Sequence, residues 1–158
     1  MTWEPELEEL RQRQALAREM GGPEKIARQR AAGRLTVRER IGALLDSGSF
    51  HEIGSITGNG AYDGTGALQS MTPTNFLFGR GLIEGRRVVV AGDDFTVRGG
   101  ASDASIIEKQ VAAEQMAHEL RLPMIRLIEG SGGGGSVKSL EAMGYTYVPF
   151  LPGFDHMV

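Results

Sequence analysis

A run of six small residues limits what this 158-residue chain can fold into more than any other feature of its sequence. Gly130-Ser131-Gly132-Gly133-Gly134-Gly135 follows the apolar segment Pro123–Ile128 and precedes a segment that can form a helix. Glycines at a strand-to-helix turn leave backbone N–H groups free to point at an anion, because no side chain blocks the approach. The pattern therefore predicts a turn that binds a phosphate or a developing oxyanion.

The composition is that of a globular protein, and it excludes several kinds of chemistry. Seventeen Lys and Arg against 20 Asp and Glu give a net charge of −3, which does not favour nucleic-acid binding. The absence of cysteine excludes disulfides, thiolate metal sites and thiol catalysis. His51, His118 and His156 show no metal-ligand spacing, so no metal is expected. Without a signal segment or a long apolar run, a cytoplasmic location is expected.

Residues 1–46 are predicted to form a helical N-terminal arm. Glu4–Met20 has the pattern of a first helix, Pro23 is well placed to open a second, and Thr36 with Glu39 fits a capping box for a third. Charged and other polar residues together outnumber apolar ones in this segment. We therefore expect it to be an arm rather than part of the core.

The rest of the chain predicts short strands and a helix. The strands are expected at Phe50–Ile53, Phe76–Ile83, Arg86–Ala91 and Phe95–Val97, with Gly54–Asn75 as a long loop and Glu84-Gly85 as a hairpin turn. A helix capped by Ser105 and Glu108 should run to Leu120 and lead into a strand from Pro123. This order is typical of an α/β fold with a crossover connection. No further strand follows before Val158, so residues 47–158 are interpreted as the front part of a truncated domain.

The glycine run also allows three interpretations other than an oxyanion-binding turn. It satisfies the pattern G-x-G-x-x-G, with Asp155 lying 20 residues beyond it, but a dinucleotide site needs such a unit to be the first βαβ of its sheet. A Walker A loop needs Lys directly after its last Gly, and Ser136 stands there. The third alternative is a flexible loop without chemistry.

Three further groups of residues invite a functional interpretation. Arg98–Ser102 is a second glycine turn ahead of a helix, either a simple turn or a second phosphate site. Lys25–Arg40 holds six basic residues and only one acid, either as a solvated helix face or as a contact for ligand phosphates. Asp93 and Asp94 follow a strand and are expected to be solvated loop carboxylates.

Three ordered segments closely resemble biotin-dependent acyl-CoA carboxyltransferase β subunits. Lys25–Phe50 is similar to the opening of those subunits, Gly81–Val90 to their first hairpin, and Asp94–Ser102 to their D-F-T-x-x-G-G-S turn. Glu108-Lys109 and Pro123–Ile125 fit in the same register. The resemblance runs from about residue 23 to the end of the chain.

The resemblance implies a crotonase-like fold of repeated ββα units. It implies transfer of a carboxyl group from carboxybiotin to the α-carbon of an acyl-CoA such as propionyl-CoA or methylcrotonyl-CoA. Biotin would be carried by a partner subunit or domain, together with a biotin carboxylase. The full-length protein would be a homo-oligomer with two such domains, the first binding acyl-CoA and the second facing biotin.

The resemblance also assigns roles to single residues. Ser131-Gly132-Gly133 match the S-G-G of the family's D-S-G-G-A-R loop, which makes the amides of Gly132 and Gly133 the expected oxyanion donors. The chain departs from that loop on both sides, with Gly130 at the acidic position and Gly134-Gly135 in place of Ala-Arg. These departures leave the acyl group and the reaction open.

The second turn is expected to bind the substrate's CoA. Gly99, Gly100 and Ala101 should lie beside the CoA, and Arg34 or Arg98 should reach its phosphates. Two other classes stay open: another crotonase-type acyl-CoA enzyme, such as a decarboxylase, hydratase or isomerase, and a non-catalytic nucleotide-binding module.

Overall fold

The fold is built on a four-stranded mixed sheet, with helices on both of its faces and a separate two-stranded hairpin. The computed structural model describes residues 2–101 and 106–130, together with the single positions 141 and 144. The helices in this part of the chain are α1 (Glu4–Arg18), α2 (Pro23–Ala31), α3 (Val37–Leu44) and α4 (Ile107–Leu120). The strands are β1 (His51–Ile53), β2 (Gly58–Tyr62), β3 (Leu68–Pro73), β4 (Phe76–Ile83), β5 (Arg86–Asp93) and β6 (Met124–Leu127). No helix in the described ranges is long and apolar enough to cross a membrane.

The sheet combines antiparallel and parallel pairing in the order β1-β4-β5-β6. The predicted hairpin of β4 and β5 is confirmed, with Phe76 opposite Asp93 and Ile83 opposite Arg86. Its turn residues Glu84 and Gly85 both have positive φ, 50° and 75°, as the turns that match strand twist require. β5 and β6 pair in parallel, and α4 provides the crossover that a parallel pair needs.

The two faces of the sheet bury different helices, because successive side chains of a strand point to opposite sides. One face packs against α3, and the cluster there contains Val37, Ile41, Leu45, Leu77, Val88 and Val90. The other face packs against α4, and its cluster contains Phe76, Phe78, Ala91 and Ala113. The sheet is therefore the middle layer of three.

The expectation that the N-terminal segment stays out of the core is wrong for α3. Val37 and Ile41 are 0% and 1% exposed, and they belong to the core cluster of the sheet. The predicted capping box is confirmed, because Thr36 Oγ1 accepts a hydrogen bond from the Glu39 N–H and the Thr36 N–H donates to Glu39 Oε2. The apolar face of α3 is visible at Ile41, Leu44 and Leu45, but the charged residues around it favour an exposed arm. A domain boundary at residue 46 stays a prediction.

The predicted loop Gly54–Asn75 contains the hairpin of β2 and β3, so that expectation was wrong. Its strands are mostly exposed and rich in Gly, Ser and Thr, and they lack the apolar alternation that marks a half-buried strand. Asp63 makes the turn by accepting hydrogen bonds from the N–H groups of Thr65 and Ala67. The Thr65 hydroxyl also donates to Asp63, and this bond, followed by the two N–H bonds, lowers the pKa of Asp63 to about 2.

α4 begins one residue later than the predicted cap at Ser105 implies, and it carries a buried lysine. Its N-cap residue is Ile106, which makes no side-chain cap, and Ser105 lies outside the described residues. Lys109 is 7% exposed, and its Nζ donates a hydrogen bond of 2.9 Å to the carbonyl of Gly54. Burial lowers the pKa of this ammonium group to about 8, against the opposing attraction of Glu52. The bond ties α4 to the segment that follows β1.

The buried lysine predicts a rise in stability at alkaline pH. Between about pH 8 and 10.5 the unfolded chain keeps a proton on Lys109 that the folded chain has lost, so the free energy of unfolding increases with pH. From pH 7.5 to pH 10 the gain should be about 2–3 kcal/mol relative to Lys109→Met, which has no such proton. Urea unfolding at both pH values measures it. Lys25→Met is the matched control, because Lys25 is exposed and its removal should leave the wild-type dependence intact.

Candidate functional site

The glycine turn after β5 and the first glycine of the run after β6, the predicted second turn, meet at one edge of the sheet. Because β5 and β6 are parallel neighbours, their carboxyl ends lie side by side, which is where open α/β sheets bind ligands. The segment after β5 contains a 3₁₀ turn, Arg98–Gly100, and β6 leads to Glu129 and Gly130. A Cβ on Gly100 would lie 2.5 Å from the Glu129 carbonyl oxygen and 2.9 Å from the Gly130 Cα. The absence of a side chain at Gly100 therefore lets the two turns touch.

The turn after β5 is shaped by Asp94. Its Oδ1 accepts hydrogen bonds from the Thr96 N–H at 2.9 Å and the Thr96 hydroxyl at 2.6 Å. Its carbonyl also accepts from the Val97 N–H at 3.2 Å. Phe95–Val97 is consequently a turn and the prediction of a strand there was wrong, because an Asp side chain that binds the backbone two residues on replaces a strand ladder.

Asp93 and Asp94 are not the solvated loop carboxylates that were expected. Asp94 is 1% exposed, and its Oδ2 has no hydrogen-bond partner in the described part of the chain. Burial raises the pKa of Asp94, although Thr96 opposes this by donating two hydrogen bonds. Asp93 is half-buried; its Oδ1 lies 3.7 Å from Arg126 Nη2 and its Oδ2 accepts from the Glu129 N–H. Both carboxylates thus hold backbone at the edge of the sheet.

The far end of this turn is held as well. The buried side chain of Asn75 donates a hydrogen bond of 2.7 Å to the Ala101 carbonyl, while the Asn75 carbonyl accepts from the Asp94 N–H. Between these anchors Arg98, Gly99 and Gly100 have φ values of 51°, 64° and 68°. Left-handed backbone costs free energy at a residue with a side chain such as Arg98, so the anchors are needed to maintain it.

A basic cavity of about 340 Å³ lies between α2 and this turn. Its cations are Lys25, Arg28, Arg34 and Arg98, and its other lining includes Gln29, Phe95, Thr96 and Gly99. The Arg34 guanidinium carbon lies 5.3 Å from the centroid of the Phe95 ring. The structure thus brings Arg34, Arg98 and Gly99 of the predicted CoA site together, with Gly100 and Ala101 directly following. Lys25 and Arg28 belong to the basic segment that the sequence singled out, but only the helix places them here.

Glu129 is the site residue that sequence reasoning missed. Its carboxylate accepts hydrogen bonds from Gln29 Nε2 at 3.2 Å, and it lies 3.7 Å from Arg34 Nη1 and 3.4 Å from Arg40 Nη1. Its side chain is only 17% exposed. The signal for Glu129 is that it is an acid directly before the glycine run. Matching Ser131-Gly132-Gly133 to the S-G-G of the family loop puts that loop's acidic position on Gly130 instead. Glu129 connects the start of the run to the segment that contains α2.

The expected oxyanion donors Gly132 and Gly133 lie outside the described residues. A larger cavity of about 400 Å³ is lined by residues such as Arg80, Arg87 and Leu120. It includes no residue of either glycine turn. We place the candidate site at the basic cavity because four cations and the turn after β5 line it, and Gly100 of that turn approaches the backbone of Glu129 and Gly130. No cluster of His, Asp and Glu that could hold a metal is found within the described ranges.

Comparison with known proteins identifies the family to which a chain with this fold belongs. The family model of the carboxyl transferase domain matches residues 28–148. The chain therefore belongs to the carboxyl transferase family. Its solved neighbours are carboxyltransferases, and its fold is the crotonase-like α/β fold that the resemblance implied.

The relatives are acyl-CoA carboxylases and an acyl-CoA decarboxylase. The propionyl-CoA carboxylase beta chain of Roseobacter denitrificans is 36% identical over 137 residues, which are 87% of this chain and 27% of that protein. Methylmalonyl-CoA decarboxylase subunit alpha of Propionigenium modestum is 31% identical over 123 residues, covering 78% of this chain and 24% of that protein. The structure of transcarboxylase 12S, described as a hexamer assembly with methylmalonyl-coenzyme A bound, matches with a TM-score of 0.69 and 27% identity. That match covers 88% of this chain and 27% of the transcarboxylase chain. The chain thus spans about a quarter of the length of these relatives.

The contact between the two turns predicts an unequal response to alanine at two glycines. Gly85 and Gly100 both have positive φ, but a Cβ on Gly85 would meet nothing within 4 Å. Gly85→Ala should therefore cost only the backbone strain, about 1 kcal/mol. Gly100→Ala should cost about 1–3 kcal/mol more, because the Glu129 backbone must move. Chemical unfolding of both variants measures the difference. Equal losses of stability would contradict a close contact between the turns.

Proposed function

We propose that this chain is the front part of an acyl-CoA carboxyltransferase, which places a carboxyl group on the α-carbon of an acyl-CoA. Residues 1–46 are the N-terminal arm, fixed to the core through α3, and residues 47–158 are the front part of the first carboxyltransferase domain. The observation that carries the proposal is the basic cavity beside the contact of the two glycine turns. Membership of the family supplies the class of reaction.

The charges of the cavity suit the phosphates of coenzyme A. Lys25 and Arg28 are exposed on α2, and no ion pair is found for either within the described ranges. Arg34 is shared between Glu129 and the Phe95 ring, which fixes its position. CoA carries a diphosphate and a 3′-phosphate, and clustered cations at a turn attract such groups strongly. The cavity would therefore take the nucleotide end of the substrate.

The acyl end would extend toward the glycine run. Removal of the α-proton puts negative charge on the thioester oxygen, and each N–H donor aimed at that oxygen lowers the barrier by about 3–4 kcal/mol. Gly132 and Gly133 are proposed as these donors, and the hydrogen bonds of Glu129 to Gln29 and Asp93 fix the entry to their loop. The biotin of a partner subunit or domain would supply the activated carboxyl group. We further propose that the full-length protein forms a homo-oligomer.

A decarboxylase is the second candidate, since one relative is named a methylmalonyl-CoA decarboxylase subunit. The same oxyanion donors would stabilise the enolate that loss of a carboxyl group leaves. The full-length protein, given a biotinylated partner, separates the two candidates. Transfer of ¹⁴C carboxyl to short acyl-CoAs supports the first, and release of ¹⁴CO₂ from labelled methylmalonyl-CoA without net carboxylation supports the second. Neither reaction, with NAD or ATP bound in preference to acyl-CoA, would indicate a nucleotide-binding module.

The phosphate assignment predicts a selective loss of affinity. Replacement of both Lys25 and Arg28 by Gln should raise KM for acyl-CoA about tenfold, because each exposed charge contributes about 0.5–1 kcal/mol. KM for the matching acyl-pantetheine, which lacks the nucleotide phosphates, should stay within about twofold. Steady-state kinetics with both substrates measure this. Arg87→Gln is the control, since Arg87 is exposed but lines the other cavity. Equal losses for both substrates would contradict the assignment.

The oxyanion assignment predicts a loss of turnover. Gly133→Pro removes one N–H and fixes φ near −65°, so kcat should fall about 10²–10³-fold while the affinity for acyl-CoA changes far less. The same substitution at Gly132 and at Gly134 would locate the donor, because only an amide that faces the thioester should show a loss confined to kcat. Normal kcat in all three variants would mean that the run is only a flexible connection.

A further inference from the structure

The position of α2 rests on polar contacts rather than on apolar packing. The only buried residue of this nine-residue helix is Gln29, which is 5% exposed. Yet α2 provides Lys25 and Arg28 to the basic cavity. Without a buried apolar face, a helix keeps its position only where its ends are held. Both ends of α2 are held, and each is attached to a different glycine turn.

The N-terminal end of α2 is attached to the turn after β5. The Gly21 N–H donates a hydrogen bond of 2.9 Å to Thr96 Oγ1, and that hydroxyl donates its own hydrogen, over 2.6 Å, to Asp94 Oδ1. Thr96 and Asp94 are 3% and 1% exposed. A Cβ on Gly21 would lie 2.0 Å from the Thr96 carbonyl oxygen, so only glycine allows this approach. Pro23, the first residue of α2, follows two positions later.

The C-terminal end of α2 is attached to the residue that opens the glycine run. Gln29 Nε2 donates to the Leu35 carbonyl at 3.1 Å and to the Glu129 carboxylate at 3.2 Å. Thr96 thus holds the N-terminal end of α2, and Glu129 holds its C-terminal end. A movement of either turn would shift the cations of α2 relative to Arg98 and Gly99.

We propose that Thr96 and Gln29 are positioning residues for substrate recognition, holding α2 across the two glycine turns so that its cations meet the phosphates of CoA. This inference rests on the proposed function of the basic cavity. The two residues act through Lys25 and Arg28, and their removal should weaken recognition of the phosphates and not of the acyl end. The preference for CoA is the quantity to measure, defined as KM for acyl-pantetheine divided by KM for acyl-CoA.

Thr96→Val in the full-length protein is the test, because valine keeps the shape of threonine and removes the hydroxyl. The preference for CoA should fall several-fold, with an upper limit of the about tenfold loss expected when both cations are replaced. Thr96→Ser keeps the hydroxyl and should restore the preference. Gln29→Met should lower it in the same direction. Hydrogen exchange should become faster at the N-terminal end of α2 in Thr96→Val and at its C-terminal end in Gln29→Met.

The chain contains a matched control for this substitution. Thr65 donates its N–H and its hydroxyl to Asp63 Oδ1 at 2.8 and 2.6 Å, the same arrangement as Thr96 with Asp94, but in an exposed hairpin. Thr65→Val should leave the preference unchanged. An unchanged preference in Thr96→Val would overturn the proposal, and so would KM values that rise equally for both substrates, since that indicates a purely structural role. A wild-type protein without any preference for CoA would instead overturn the proposed function itself.

Discussion

The parallel pairing of β5 with β6 is the constraint on which the site depends. Among the neighbouring strands of the described sheet only this pair is parallel, and it places two successive strand ends at one edge. An antiparallel connection would have sent the glycine run to the opposite edge. The crossover through α4 costs 14 helical residues, whose inner face is buried against Phe76, Phe78 and Ala91. The bulk of the chain between the two turns therefore serves to make them neighbours.

The contact between the turns then restricts which residues can stand there. Backbone atoms of Glu129 and Gly130 occupy the space of a side chain at Gly100, and the carbonyl of Thr96 occupies that of a side chain at Gly21. These two glycines are required by close packing at the site, whereas Gly85 is required only by its turn. Buried polar groups complete the contacts: the Asp94 side chain binds Thr96 within its own turn, Asn75 binds the Ala101 carbonyl, and Gln29 binds the Glu129 carboxylate. Such a network specifies one arrangement because each buried group left unpaired is costly.

Local signals in the sequence predicted those elements whose pattern is set by near neighbours. The strand Phe76–Ile83 and the capping box of Thr36 and Glu39 were found because alternation and cap chemistry operate within a few residues. The burial of Asp94, the role of Glu129 and the hairpin of β2 and β3 were missed. The environments of Asp94 and Glu129 depend on residues far away in sequence, as Gln29 and Glu129 are 100 positions apart. The hairpin is local, but its exposed strands lack the apolar alternation that marks a half-buried strand. The sequence around a carboxylate does not distinguish a solvated side chain from a buried one that accepts hydrogen bonds from the backbone of a turn.

The site proposed here uses backbone groups for chemistry and side chains for placement. Backbone amides have no rotamers of their own, so their direction is fixed only by the conformation of the loop that carries them. A donor that must face a developing charge within a few tenths of an ångström therefore needs its loop held from outside. In this chain the holding groups are the carboxylates of Asp93, Asp94 and Glu129, which lie one to five positions from a glycine turn and face inward. In the proposed mechanism the acids of the site are structural, because the proposed reactive groups are the amides of Gly132 and Gly133. A negative charge directed at the substrate oxygen would oppose an enolate there.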